Sequence, residues 1–133
     1  MGFRLYIEND YSDGCVGKLY SYVDPINLKN NRYILNSMLY LCEIGVMDEY
    51  IEELAINSTH LSKIELADIV FNSFSCVEIK LTYYQFKIFL LLYLMERYNF
   101  YCNSDFSISE VYADYFKFLE KYGNKEYINL EWS

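Results

Sequence analysis

The chain is poor in the residues that carry most enzyme chemistry. It has a single histidine and five glycines, and none of the glycines builds a phosphate-cradling loop. His60 lies in Asn57-Ser58-Thr59-His60, and no spacing brings a thiol to it, as a Cys–His nucleophile pair requires. The four cysteines, Cys15, Cys42, Cys76 and Cys102, are spread evenly with no CxxC. Zinc needs clustered ligands, so no metal and no other cofactor is expected. No charged and then apolar leader precedes the thiols, which read as free in a cytoplasmic protein. The longest apolar run, Ile88 to Met95, falls far short of the ~20 residues that cross a bilayer. Lys and Arg number 11 against 19 acids, a net charge of -8. Counterion release on nucleic acid needs a basic cluster, and the chain has none.

What is present is core-forming material. Hydrophobic residues make up 53% of the 133, with 16 Tyr and 9 Phe, unlike the polar composition of disordered chains. The length suits a single α+β domain spanning residues 1–133, with one core.

Phe3, Leu5 and Ile7 alternate with Arg4, Tyr6 and Glu8, the period of a half-buried strand. Turn residues from Asp10 to Gly14 lead to a second extended run, Val16 to Val23, giving an N-terminal hairpin. Asp24-Pro25 ends it. From about Asn31 the period lengthens to that of a helix, with Ile34, Met38 and Leu41 on one stripe and Gly45 at the C-terminal cap. A short helix follows near Met47 to Ala55, with Met47, Ile51 and Leu54 inward. Capping-box spacing marks three further helix starts: Ser62 with Glu65, Thr82 with Gln85, and Ser107 with Glu110. The segment Leu66 to Phe74 reads as helix. Tyr83 to about Tyr98 is apolar on nearly every side and is expected to be the central buried helix. Ile108 to Tyr122 keeps Val111, Tyr115, Phe118 and Tyr122 on one stripe and stops at Gly123. Val77 to Leu81 and Tyr127 to Trp132 alternate as two later strands. The expected architecture is about four antiparallel strands packed by four to five helices.

Carboxylate pairs in acid–base work need contrasting environments. Glu78 and Glu131 sit on predicted strands where alternation turns them outward, away from the core. Asp10, Asp13 and Gly14 lack the spacing and terminal Glu of a calcium loop. The chain is therefore expected not to be an enzyme.

One feature is not demanded by the fold. Between Arg32 and Lys80 stand Glu43, Asp48, Glu49, Glu52, Glu53, Glu65, Asp68 and Glu78 against one base, Lys63. Asp48 with Glu52 and Glu49 with Glu53 are like-charge pairs at i,i+4, each costing about 0.2–0.5 kcal/mol. The helix macrodipole offsets part of that at Asp48 and Glu49. A solvated face explains such a run. The alternative is a docking surface for a basic host or toxin protein, a nuclease being one candidate, formed by Glu43, Asp48, Glu49, Glu52 and Glu53 with Glu65 and Asp68, and with Tyr50 as its aromatic anchor. Self-association through an apolar hairpin face, giving a homo-oligomer, is the third reading.

The opening Gly2-Phe3-Arg4-Leu5-Tyr6-Ile7-Glu8, then Gly17-Lys18-Leu19-Tyr20-Ser21-Tyr22-Val23, resembles the start of small proteins from low-GC Gram-positive bacteria and their phages. Glu78-Ile79-Lys80-Leu81-Thr82 running into Gln85-Phe86 is similar to their strand-to-helix junction. The resemblance covers about a quarter of the chain and carries no catalytic motif. It implies a host range and an accessory role. In size, acidity and lack of catalytic groups the chain is similar to anti-CRISPR and other anti-defence inhibitors. Immunity proteins that neutralise a cognate toxin share the same features.

Overall fold

A computed structural model describes residues 2–8, 19–22, 35–55, 62–63, 65–66, 77–102 and 107–132. Its strands are β1 (Gly2–Ile7), β2 (Leu19–Tyr22), β3 (Val77–Thr82) and β4 (Tyr127–Trp132). Its helices are α1 (Leu35–Glu43), α2 (Asp48–Ala55), α3 (Tyr83–Cys102) and α4 (Ile108–Tyr122). The architecture is α+β, as the change of period along the chain requires. The strands make one antiparallel sheet in the order β2-β1-β4-β3, so the first and last strands meet at its centre. Leu5 faces Trp132, Tyr6 faces Glu131 and Ile7 faces Leu130 across that central pair.

Alternation sends Leu5, Ile7, Ile79, Leu81, Ile128 and Leu130 to one face, where all are buried. α3 lies on that face and contributes Phe86, Phe89, Leu90, Tyr93 and Leu94 to the same core. α1 adds Met38, Leu41 and Cys42 beside it, and α4 adds Val111, Phe118 and Tyr122. Phe86 and Tyr122 meet edge to face, with ring centroids 6.1 Å apart, a favoured aromatic geometry.

Strand β3 passes into α3 without a loop. Thr82 Oγ1 accepts from the Gln85 N–H at 3.2 Å, and Gln85 Oε1 accepts from the Thr82 N–H at 3.0 Å. The box thus closes in both directions, while the Tyr83 N–H still donates to the Glu126 carbonyl at 3.1 Å. After α1, Gly45 takes φ +83°, a left-handed backbone state that glycine adopts at little cost, and the Gly45 N–H donates to the Cys42 carbonyl.

Four expectations change. Alternation places Tyr6 outward, yet it is only 8% exposed, so the sheet's outer face is covered at β1 and bare at β3, where Glu78 and Lys80 are exposed. The Ser107 box does not form: the serine is extended, its hydroxyl is 2.8 Å from that of Ser109, and it makes no cap bond to the backbone. A neighbouring hydroxyl takes the place of the Glu110 N–H, which donates to the Ser107 carbonyl instead. α3 runs to Cys102, past Tyr98, because no Gly or Pro interrupts it. It is not buried all round, since Tyr84 is 68% exposed. The hairpin turn, the onset of helix near Asn31 and residues 67–74 lie outside the described residues. Of the segment read as helix from Leu66, Leu66 itself is helical and buried.

Candidate functional site

The short helix α2 forms because an apolar flank, Met47 and Ile51, packs on the core while its first turn carries Asp48 and Glu49 toward the positive end of the helix dipole. At ~3.6 residues per turn, positions 48, 49, 52 and 53 share one contiguous face. Asp48, Glu49, Glu52 and Glu53 are all exposed there. None of the four forms an ion pair among the described residues.

The thiol of Cys42 shows what else is gathered nearby. Burial pushes it up to about 11, Lys63 pulls it down, and Asp48 and Glu43 push it further up. Glu43, Asp48 and Lys63 are therefore all near enough to Cys42 for their charges to bear on its thiol. Lys63 and Glu65 are exposed, and the Glu65 N–H donates to Ser62 Oγ at 3.3 Å, half of the expected capping box. The one base of the acidic stretch, Lys63, thus stands near enough to act on the Cys42 thiol. At that pKa the Cys42 thiol is neutral and buried, which removes it as a nucleophile.

Tyr50 is the residue expected as the aromatic anchor. It is half-buried and packs on the core, and its hydroxyl donates to the Glu78 carbonyl at 3.1 Å. Its position on the helix lies on the far side of Glu53 from the acidic face, so its ring serves the fold and closes part of the β3 edge. Asp68, His60, Cys15 and Cys76 lie outside the described residues. The structure therefore gathers Asp48, Glu49, Glu52 and Glu53 on one exposed face of α2, with Glu43 exposed at the end of α1 and Glu65 exposed beside Ser62, while Tyr50 packs on the core. The apolar side chains beside the acids are Ile44 and Val46 in the turn between Glu43 and Asp48, both half-buried.

A groove of about 430 Å³ opens on the outer face of the sheet, lined by Glu78, Ile79, Lys80, Asn129, Leu130 and Glu131. Glu78 and Glu131 stand directly opposite each other across β3 and β4. Alternation does turn both outward, as expected, but the outward face is itself the groove. Lys80 leans from it over the Tyr127 ring, 4.4 Å from the centroid. Among the described residues no three His, Cys, Asp or Glu side chains cluster as metal ligands, and no helix is long and apolar enough to cross a membrane.

A second surface escaped the sequence reading. Ile108, Tyr112 and Phe116 follow one another at i,i+4 along α4, and all are exposed. The stripe Val111, Tyr115, Phe118 and Tyr122 reads in the sequence as the core side. The signal available was that the adjoining stripe is apolar too, making the apolar arc wider than one core contact needs.

No protein family model, characterised protein or solved structure matches the chain. The residues of the site therefore stand on their own geometry.

Proposed function

We propose that this protein is a non-enzymatic inhibitor that binds a basic protein surface through the outward face of α2, acting in the cytoplasm as an anti-defence protein of the anti-CRISPR kind. The observation that carries the reading is the face itself. Four carboxylates on an eight-residue helix all point to solvent, and Glu43 and Glu65 add to the same sign of field. Like charges at i,i+4 cost stability, and the packing of α2 on Met47 and Ile51 does not require them. A concentrated negative field accelerates encounter with a cationic partner and fixes its orientation. Affinity then comes from a few apolar contacts at the centre, for which Ile44 and Val46 are in position. A nuclease whose nucleic-acid groove is lined with Lys and Arg has the complementary chemistry.

The test is capture of partners from host lysate on the immobilised chain, at low and high salt, beside a variant carrying Glu49→Lys, Glu52→Lys and Glu53→Lys. A partner bound at low salt, released as the Debye length shortens and absent from the variant supports the reading. A partner that the variant holds equally well overturns it.

A further inference from the structure

We propose that the outer face of α4 is a self-complementary interface through which two copies of this chain form a reversible antiparallel dimer. Phe116 is 62% exposed and stacks on Tyr112, with ring centroids 6.2 Å apart and planes 27° from parallel. Tyr115 joins the pair from the core side, 5.4 Å from Phe116. These rings form a preassembled aromatic ridge, so little side-chain freedom is lost when it is covered. Beside the ridge the helix surface falls away at Ser109 and Ala113, which are small and exposed. A ridge and a groove on the same helix face are what ridges-into-grooves packing between identical helices requires.

Charge selects a second copy as the occupant. Glu110 and Lys117 lie seven residues apart on the same flank of Ala113, both exposed, and neither forms an ion pair among the described residues. A two-fold axis near Ala113 places Glu110 of one copy opposite Lys117 of the other, and the pair recurs by symmetry. Phe116 of each copy then comes level with the gap between the small residues Ser109 and Ala113 of its mate. This surface is separate from α2, so a dimer leaves the acidic face available. The two contacts also respond oppositely to salt. The net charge of -8 repels copies of the chain, so screening preserves the apolar dimer while it weakens a complex with a basic partner.

Sedimentation of the full chain over a concentration series tests the proposal. The wild type is expected to convert from monomer to dimer as concentration rises, and to keep doing so at high salt. Phe116→Asp should abolish the dimer without altering the far-UV circular dichroism. Glu110→Lys alone and Lys117→Glu alone should each weaken dimerisation by roughly 2- to 10-fold, and the two together should restore it. A wild type that stays monomeric throughout, or a dimer that survives Phe116→Asp, overturns the interface. Failure of the double reversal to recover beyond the single ones overturns the antiparallel arrangement.

Discussion

Glu8 and Asn129 bond to each other twice: the Glu8 N–H donates to the Asn129 carbonyl at 2.9 Å, and the Asn129 N–H donates to the Glu8 carboxylate at 2.7 Å. Glu8 does this from φ +56°, a left-handed state that costs a non-glycine residue about 1–2 kcal/mol. Lys125 Nζ closes the arrangement on the other carboxylate oxygen at 3.2 Å. The clasp sits where β1 ends against β4, at the join between the two ends of the chain. Glu8→Ala removes the side-chain acceptor but keeps the backbone strain, and should cost about 1–2 kcal/mol in urea denaturation. Glu8→Gly loses the same acceptor and relieves the strain, so it should cost less than Glu8→Ala. Equal losses would mean that the left-handed turn is not strained. Lys125 is exposed, and Lys125→Ala should cost under about 1 kcal/mol.

The helix starts give a second contrast. Thr82 and Gln85 exchange two hydrogen bonds at the head of α3, whereas Ser107 makes no side-chain cap at the head of α4. Thr82→Ala should therefore destabilise the fold by about 1 kcal/mol, and Ser107→Ala by only a few tenths. Thermal unfolding of both variants checks this, and equal effects would refute the assignment of the caps.

These two cases show how far the sequence could be read. Ser62, Thr82 and Ser107 carry the same spacing in the sequence, yet one box closes fully, one half and one not at all, because the geometry at each N-terminus depends on what the hydroxyl meets nearby. Period alone gave a strand from Val77 to Leu81, one residue short of the observed Val77–Thr82, the strand Tyr127–Trp132 and the helix Ile108–Tyr122, since each buries one face against one core. It placed the acids of α2 outward for the same reason. It misplaced Tyr6, whose ring and hydroxyl are equally at home against apolar neighbours and polar backbone, and it did not show that Tyr50 packs on the core and bonds the Glu78 carbonyl. It could not show the left-handed Glu8, because its clasp partner lies 121 residues away in sequence.

Glu96 on α3 supplies a pH-dependent prediction. Its carboxylate accepts from the Asn36 side-chain amide, joining α3 to α1. Burial holds its carboxyl above the ordinary carboxylate range, and the Asn36 bond lowers it only in part. The folded state thus holds the proton more tightly than the unfolded state, whose Glu titrates at about 4.3. This group contributes most below that value, and its contribution is lost as pH rises through the raised folded value. Glu96→Gln keeps an acceptor for Asn36 and carries no charge. The stability of Glu96→Gln relative to wild type should therefore increase as pH rises from about 4 to 7. A difference that stays flat, or one that decreases, across thermal scans in this range would contradict the burial of the carboxyl.

The division of labour on α2 allows stability and binding to be separated. Tyr50 holds the helix to the β3 edge through its 3.1 Å bond to Glu78, so Tyr50→Phe should lower stability by about 0.5–1.5 kcal/mol and leave partner capture intact. Reversing Glu49, Glu52 and Glu53 touches no buried contact. It places a positive charge near the helix N-terminus, at a cost of about 0.3–1 kcal/mol, while giving Asp48 an opposite charge at i+4, a gain of about 0.2–0.5 kcal/mol. The net change in stability should stay within about 1 kcal/mol. Partner binding, however, should fall mainly through the association rate, with loss of its salt dependence. Stopped-flow association of labelled chain with the captured partner reads both quantities. If Tyr50→Phe weakens binding more than the charge reversals do, the contact surface is centred on the β3 edge and the acids serve only to keep the protein in solution.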